Sequence, residues 1–273
     1  MPRLDFKKIK GLSRVVSRDI LAVELEKSRL KIVQVKLTPQ HEEIVNIIQR
    51  DITGLKDAEI TNLILGIRDT ILQKKLEVID IITPSSVITK NIEIPSTDPQ
   101  EIKEIVNLQA GRHTPYAREE IIVDFLNLGV YRKNYTRILL VIVNRNIVKR
   151  HFDILARAGF VPEKVVFSAE AVALSSSRLL NISTEDRPWG VIHIDEENTD
   201  FIIILKNKPI FIRQIPIGAK QLVFEKEKFY LRFLEEIKRS QDAYLAEDIE
   251  KMPSNFILTG GIEAISGLEQ SMD

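Results

Sequence analysis

Two apolar runs set the first pattern: Leu21 to Leu25 and Leu30 to Leu37, rich in Val, Ile and Leu, with the polar Glu26-Lys27-Ser28-Arg29 between them. A short polar break between two such runs predicts a β-hairpin and the beginning of an open sheet. Between Lys56 and Lys75, Ile60, Leu63, Ile64, Ile67, Ile71 and Leu72 recur at helical spacing, and Val78 to Ile82 then reads as a strand. The predicted order is strand, strand, helix, strand. His41-Glu42-Glu43 lacks the second histidine of a zinc-protease helix and is read as the polar start of a helix.

From Val87 the pattern changes. A strand through Ile94 is followed by Pro95-Ser96-Thr97-Asp98-Pro99, in which Asp98 is placed to cap and Pro99 to open a helix reaching about Gly111. Strands are predicted at Ile121 to Leu128 and Ile138 to Val143, then a helix from Arg145 to Ala158 that Gly159 ends by accepting left-handed backbone angles. Val165-Val166-Phe167 reads as a strand and Ser168 as the cap of an Ala-rich helix ending near Leu180. The polar stretch Asn181 to Pro188 is the best domain boundary. Beyond it, Val191 to Ile194, Phe201 to Leu205 and Ile210 to Ile215 predict a meander, its second turn marked by Asn207 and Pro209. A single long charged helix is expected from Ala219 to Glu247, with Phe229, Phe233, Ile237 and Tyr244 on its buried stripe, then a strand at Phe256 to Leu258 entering Thr259-Gly260-Gly261.

Composition narrows the function classes. The 39 basic and 39 acidic residues balance to a formal net charge of zero, which removes the sequence-independent attraction that nucleic-acid binders rely on. The absence of cysteine excludes disulfides and thiolate metal sites. Met1 to Arg18 is basic and polar without an apolar core, and no uncharged apolar run reaches the roughly 20 residues of a membrane helix. The expectation is a protein that stays in the cytoplasm. No serine stands in a Gly-x-Ser-x-Gly context, and with cysteine absent nucleophilic catalysis has no support. His151 reads as structural and His113 as surface, while His193-Ile194-Asp195-Glu196-Glu197 reads as a strand end and a solvated acidic turn.

Two sheet-based halves, each opening with a strand-turn-strand, and a late strand ending in Thr259-Gly260-Gly261 give the outline of the actin and sugar kinase class. The middle segment sharpens it: Val87 to Pro95, Gln109 through Pro115-Tyr116, Glu120 to Phe125, Ile138 to Val143 and Ala158-Gly159-Phe160. With Phe211 to Gly218, Glu236 to Ser240 and Leu258 to Gly261, these resemble in order the type IV pilus assembly protein PilM family. The resemblance implies an α/β, actin-like (ribonuclease H-like) two-lobed fold with a small inserted α/β subdomain and a reduced second lobe. The implied domains are 1–86 together with 165–188, an FtsA- or PilM-type insertion at 87–164, and a shortened second lobe at 189–273. Too few residues lie between Gly218 and Glu236 for a complete nucleotide-clasping subdomain, and the stop at Asp273 suggests a fragment or a reduced lobe.

The resemblance also locates a nucleotide site. The family places Asp-hydrophobic-Gly at each of two phosphate-facing turns, because only a residue without Cβ lets backbone N–H groups approach an anion so closely. Here the first turn has Glu24, Leu25 and Glu26, followed by Lys31, and the second has Asp195, Glu196 and Glu197. A glutamate stands for glycine at both. At an effective dielectric of 20, like charges 4 Å apart cost about 4 kcal/mol, roughly three decades of affinity. A divalent cation held by Glu24, Glu26, Asp195 and Glu197 would offset part of that. Gly260 and Gly261 are intact. The cofactor-binding positions implied are thus Glu24, Lys31, Asp195, Gly260 and Gly261, with no metal and no bound cofactor expected and ATP with Mg disfavoured.

What the resemblance implies for function is a scaffold at the inner face of the inner membrane. It would clasp the N-terminal cytoplasmic tail of a PilN-like membrane protein in a groove beside the insertion, walled by Ile92, Ile94, Val123 and Phe125. Pilus motor ATPases are the other implied partners, nucleic acid is not one, and the membrane is reached through partners alone. Two alternatives stay open: an ATP-binding actin-like ATPase or kinase, and a scaffold of type II secretion or of FtsA-like cell division.

Overall fold

Alternation decides the first sheet. In Arg18–Leu25 (β1) and Arg29–Leu37 (β2), Leu21, Val23, Leu25, Leu30 and Ile32 turn to one face and are buried, since successive strand side chains point to opposite sides. The two strands pair antiparallel with Leu25 opposite Leu30, the hairpin expected from the apolar runs. The computed structural model describes residues 18–71 and 76–261; Leu72 of the expected helical stripe and the end of the second lobe lie outside them.

The segment read as the start of a helix at His41 is instead a strand, Glu42–Asp51 (β3), paired antiparallel with β2. Asn46 lies opposite Gln34 and Ile44 opposite Val35, so Val45 is an extra, bulged residue. The bulge spaces Ile44, Val45, Ile47 and Ile48 in a way that breaks strand alternation and imitates a helix. Asp57–Arg68 (α1) follows, its first turn closed by the Lys56 N–H donating to Glu59 Oε2 at 2.7 Å. Leu76–Ile82 (β4) then joins parallel to β1.

Val87–Ile94 (β5) leads to Pro99–Gln109 (α2), whose cap is as the sequence proposes: Asp98 Oδ1 accepts from the N–H groups of Gln100 and Glu101, both at 2.9 Å. Ile121–Tyr131 (β6) and Tyr135–Asn144 (β7) precede Arg145–Arg157 (α3), which starts on the Asn144 side-chain cap and stops at Gly159 with φ +84°. Lys164–Phe167 (β8) and Ser168–Leu179 (α4) match the expected strand and Ala-rich helix.

Trp189–Ile194 (β9), Thr199–Leu205 (β10) and Lys208–Ile215 (β11) form the meander, the last turn made by Lys206 and Asn207 at φ 49° and 68°. The long charged helix is two helices, Ala219–Phe224 (α5) and Lys226–Ala246 (α6), broken at Glu225, whose φ −130° and ψ 38° are not helical. Phe256–Gly260 (β12) is the last described strand.

The strand orders are β3-β2-β1-β4-β8, β5-β7-β6 and β11-β10-β9-β12. The first and last share one plan, an antiparallel meander whose first strand then takes a parallel neighbour, as expected of the actin-like class. The described residues of Met1–Val87, Ala110–Asp124 and Ile142–Ser168 make one compact unit, and those of Ile88–Gln109, Phe125–Val141 and Ala169–Asp273 a second. In the first, Leu21, Val23, Ile32, Ile60, Ile64, Val78, Ile154 and Leu155 pack as one core. In the second, Ile192, Phe201, Phe211, Phe233, Ile237 and Tyr244 do, with Phe211 edge-on to Tyr244 at 5.4 Å between centroids. No helix among the described residues is long and apolar enough to cross a membrane.

Candidate functional site

In the first unit the β1–β2 turn carries two of the expected residues. Register puts Glu24 directly opposite Lys31, and Lys31 Nζ lies 2.8 Å from Glu24 Oε1. The lysine that would meet a phosphate is already met by a carboxylate. The turn is closed by the Glu26 N–H donating to Arg29 O at 2.9 Å, and it is tied to the end of β3 by the Ile52 N–H donating to Ser28 O at 2.8 Å. No residue of this turn has a positive φ. Its backbone is one that glutamate adopts freely, so Glu26 stands there without strain.

The second turn, after β9, is built more tightly. Asp195 N–H donates to Asn198 O at 2.9 Å, and Asp195 Oδ1 accepts from the Glu196 N–H at 2.8 Å. The start of α5 folds back against it: the Ala219 N–H donates to Asp195 O at 2.8 Å and the Lys220 N–H to Glu196 O at 3.0 Å. This approach needs Gly218, where a Cβ would fall 2.5 Å from Glu196 O and from Asn198 N. The Gly218 N–H donates to Gln221 Oε1 at 3.0 Å.

Gly260 and Gly261 close the same end of the sheet. Gly260, at φ +91°, passes so near the Ile194 carbonyl that a Cβ would collide with its oxygen, and the Gly261 N–H donates to that oxygen at 2.8 Å. One position earlier on the same two strands, His193 Nδ1 is 2.8 Å from Thr259 Oγ1. Asp195, Gly260 and Gly261 are therefore brought together at the C-terminal ends of β9 and β12, where open sheets of this kind hold ligands. The backbone donors of Gly218, Ala219, Lys220 and Gly261 are committed to protein acceptors. From sequence Gly218 enters only as the end of the Phe211 to Gly218 match and not as a site residue, although a glycine directly before a helix was the available signal.

The four residues expected to wall a peptide groove are distributed differently. Ile92 and Ile94 are on β5, Val123 and Phe125 on β6, and β7 lies between those strands. Ile94 is 0% exposed and belongs to the core, whereas Ile92, Val123 and Phe125 are half-buried. Outside these places, His151 Nδ1 sits 3.0 Å from Asp80 Oδ1, both side chains buried. Burial pushes the Asp80 carboxyl up from its ordinary value, and the hydrogen bond and charge of His151 pull it back.

A model of the family described as type IV pilus assembly protein PilM matches residues 15–231. The chain belongs to the PilM family. Among solved structures, the PilM-PilN type IV pilus biogenesis complex matches with a TM-score of 0.76 at 20% identity, over 93% of this chain and 84% of that one. At that identity the likeness is one of fold, and it gives this PilM family member the same α/β, actin-like architecture. The cytoplasmic domain of EpsL, an inner-membrane component of the type II secretion system of Vibrio cholerae, matches at TM-score 0.49 and 13% identity, over 78% and 76% of the two chains. A Bacteroides thetaiotaomicron protein with an actin-like ATPase fold matches at 0.46 and 10%, over 93% and 95%.

Proposed function

We propose that this PilM family member is a scaffold of the type IV pilus inner-membrane assembly complex that holds the N-terminal cytoplasmic tail of a PilN-like membrane protein. It works at the cytoplasmic face of that membrane, and its nucleotide site is too degenerate to hold a triphosphate. Family membership and a fold shared with PilM from a complex with PilN support the first part. The observation that carries the second is the state of the two turns. Lys31 is neutralised by Glu24, glutamates stand at positions 26 and 197, and the N–H groups around Asp195 already bond to protein.

The tail binds extended. Both strands bearing candidate contacts, β5 and β6, are edges of their sheet, where an added peptide gains main-chain bonds, while Ile92, Val123 and Phe125 supply apolar contacts. The functional division is 1–86 with 165–188, 87–164 as the inserted partner-binding subdomain, and 189–273. Pilus motor ATPases are the second class of partner.

Two titrations test this reading. An immobilised tail peptide of a PilN-like protein retains the chain, and no retention at about 100 μM would count against it. Mg-ATP gives no thermal shift, whereas a ligand at 100 times its dissociation constant adds about 2.7 kcal/mol of stability. The rival reading, an ATP-binding actin-like ATPase, is favoured by Gly218, Gly260 and Gly261 around Asp195; a shift with Mg-ATP that Lys31→Ala reduces would establish it.

A further inference from the structure

The turn that joins β6 to β7 projects from the three-stranded sheet. Of residues 129–135 Tyr131 is half-buried and the other six are exposed, Val130 at 68% and Tyr135 at 42%. From Phe125 to Arg137 the hairpin carries Arg132, Lys133 and Arg137 and no acidic residue, in a chain whose net charge is zero. A local excess of this kind makes a positive field that the molecule as a whole lacks.

The three cations are placed differently. Arg137 Cζ lies 3.9 Å from the centroid of the Tyr131 ring and Arg132 Cζ 4.9 Å, so both arginines rest on one aromatic. Arg137 is spent inside the fold, donating to Glu93 Oε1 at 3.2 Å and to Ile249 O at 3.1 Å. Among the described residues Arg132 and Lys133 form no ion pair and no side-chain hydrogen bond. Arg132 also takes a φ of 45°, a left-handed angle better suited to an asparagine such as Asn134 two positions on. Turn chemistry alone does not select an arginine there.

We propose that this hairpin tip is a contact site for anionic lipid headgroups, Arg132 and Lys133 meeting the phosphates and Val130 and Tyr135 entering the interface. Amphipathic side chains with an apolar body and a polar or cationic end suit that depth of a bilayer. A protruding turn offers a peptide no groove, whereas a bilayer surface needs none. The contact is direct, beside the one made through a PilN-like partner, and it rests on that reading only for where the protein meets a membrane. Each basic residue near an anionic surface raises partitioning about fivefold, so two of them with a small apolar tip make a weak, reversible contact.

Co-sedimentation of the full chain with vesicles tests it, and no PilN-like protein is present, so a failure leaves tail binding untouched. Vesicles of phosphatidylglycerol and phosphatidylethanolamine are compared with vesicles of phosphatidylcholine. The expected result is half-binding near about 1 mM lipid for the anionic vesicles, lost at about 0.5 M salt, and none for phosphatidylcholine. Arg132→Gln combined with Lys133→Gln weakens it about 25-fold, Val130→Asp weakens it as well, and Arg132→Lys keeps it. Circular dichroism checks the folding of each variant; if the double variant misfolds, Lys133→Gln alone, expected to weaken binding about fivefold, decides. No sedimentation with the anionic vesicles overturns the proposal and leaves the tip to an acidic protein surface. Equal sedimentation with both kinds of vesicle, or binding that the glutamine variants leave unchanged, overturns it too.

Discussion

Lys31 Nζ lies 2.8 Å from Glu24 Oε1, across directly opposed positions of one hairpin. The lysine side chain is 23% exposed and the glutamate 16%, so the pair is neither deep in the core nor free in water. It is a cross-strand ion pair of modest worth. Lys31→Ala is expected to cost less than about 1 kcal/mol, read as a small fall in melting temperature, and to leave the response to Mg-ATP unchanged. A phosphate-binding lysine would show the opposite pattern.

The retained glycines have a packing reason that needs no ligand. Gly218→Ala puts a methyl 2.5 Å from Glu196 O, and it is expected to destabilise by about 1–3 kcal/mol through overpacking against backbone that cannot yield. Gly260→Ala adds a disfavoured φ of +91° to a collision with Ile194 O and is expected to cost more. Urea unfolding of both variants, with and without Mg-ATP, checks this; losses confined to nucleotide response would assign the glycines to a ligand.

The buried pair of His151 and Asp80 makes one pH-dependent contribution to stability. Burial holds the folded-state value of Asp80 above its ordinary one, so its contribution is complete at low pH and declines as pH rises through that folded value. His151→Ala removes both influences that lower it, leaving a buried carboxylate without its partner, at a cost of about 3–5 kcal/mol near neutral pH. The deficit is expected to shrink toward acid, where the carboxyl is protonated. Asp80→Asn should flatten the profile over the same range. Urea midpoints across the acid range report both.

Much of this was legible. Strand alternation at Leu21, Val23 and Leu25, the Asp98 cap and the Gly159 stop are local signals, and local signals survive folding. The opposition of Glu24 and Lys31 follows from hairpin spacing, although the resemblance assigns both residues to a cofactor site instead of to each other. What escaped depended on distant chain. The bulge at Val45 exists only against β2 and disguised β3 as a helix, and Glu225 breaks a run of good helix formers. Nothing in order along the chain says that β7 inserts between β5 and β6, which separates Ile92 from Phe125. The fold-back of Gly218 onto Asp195 likewise joins residues that are remote in sequence.

Ile94 and Phe125 should therefore separate stability from recognition. Ile94, at 0% exposure, is expected to cost about 2–5 kcal/mol when changed to Ala. Phe125→Ala, from a half-buried site, is expected to melt closer to the parent while weakening the tail peptide about tenfold. Melting curves and peptide titrations on the same two proteins separate the effects; equal losses in both would remove Phe125 from the binding surface.

Calorimetric titration of the nucleotide-free chain with the tail peptide of a PilN-like protein is the most direct measurement. The account predicts saturable binding with a dissociation constant below about 100 μM, identical when Mg-ATP is added. Binding that appears only with Mg-ATP present, or heat from Mg-ATP alone, would contradict it.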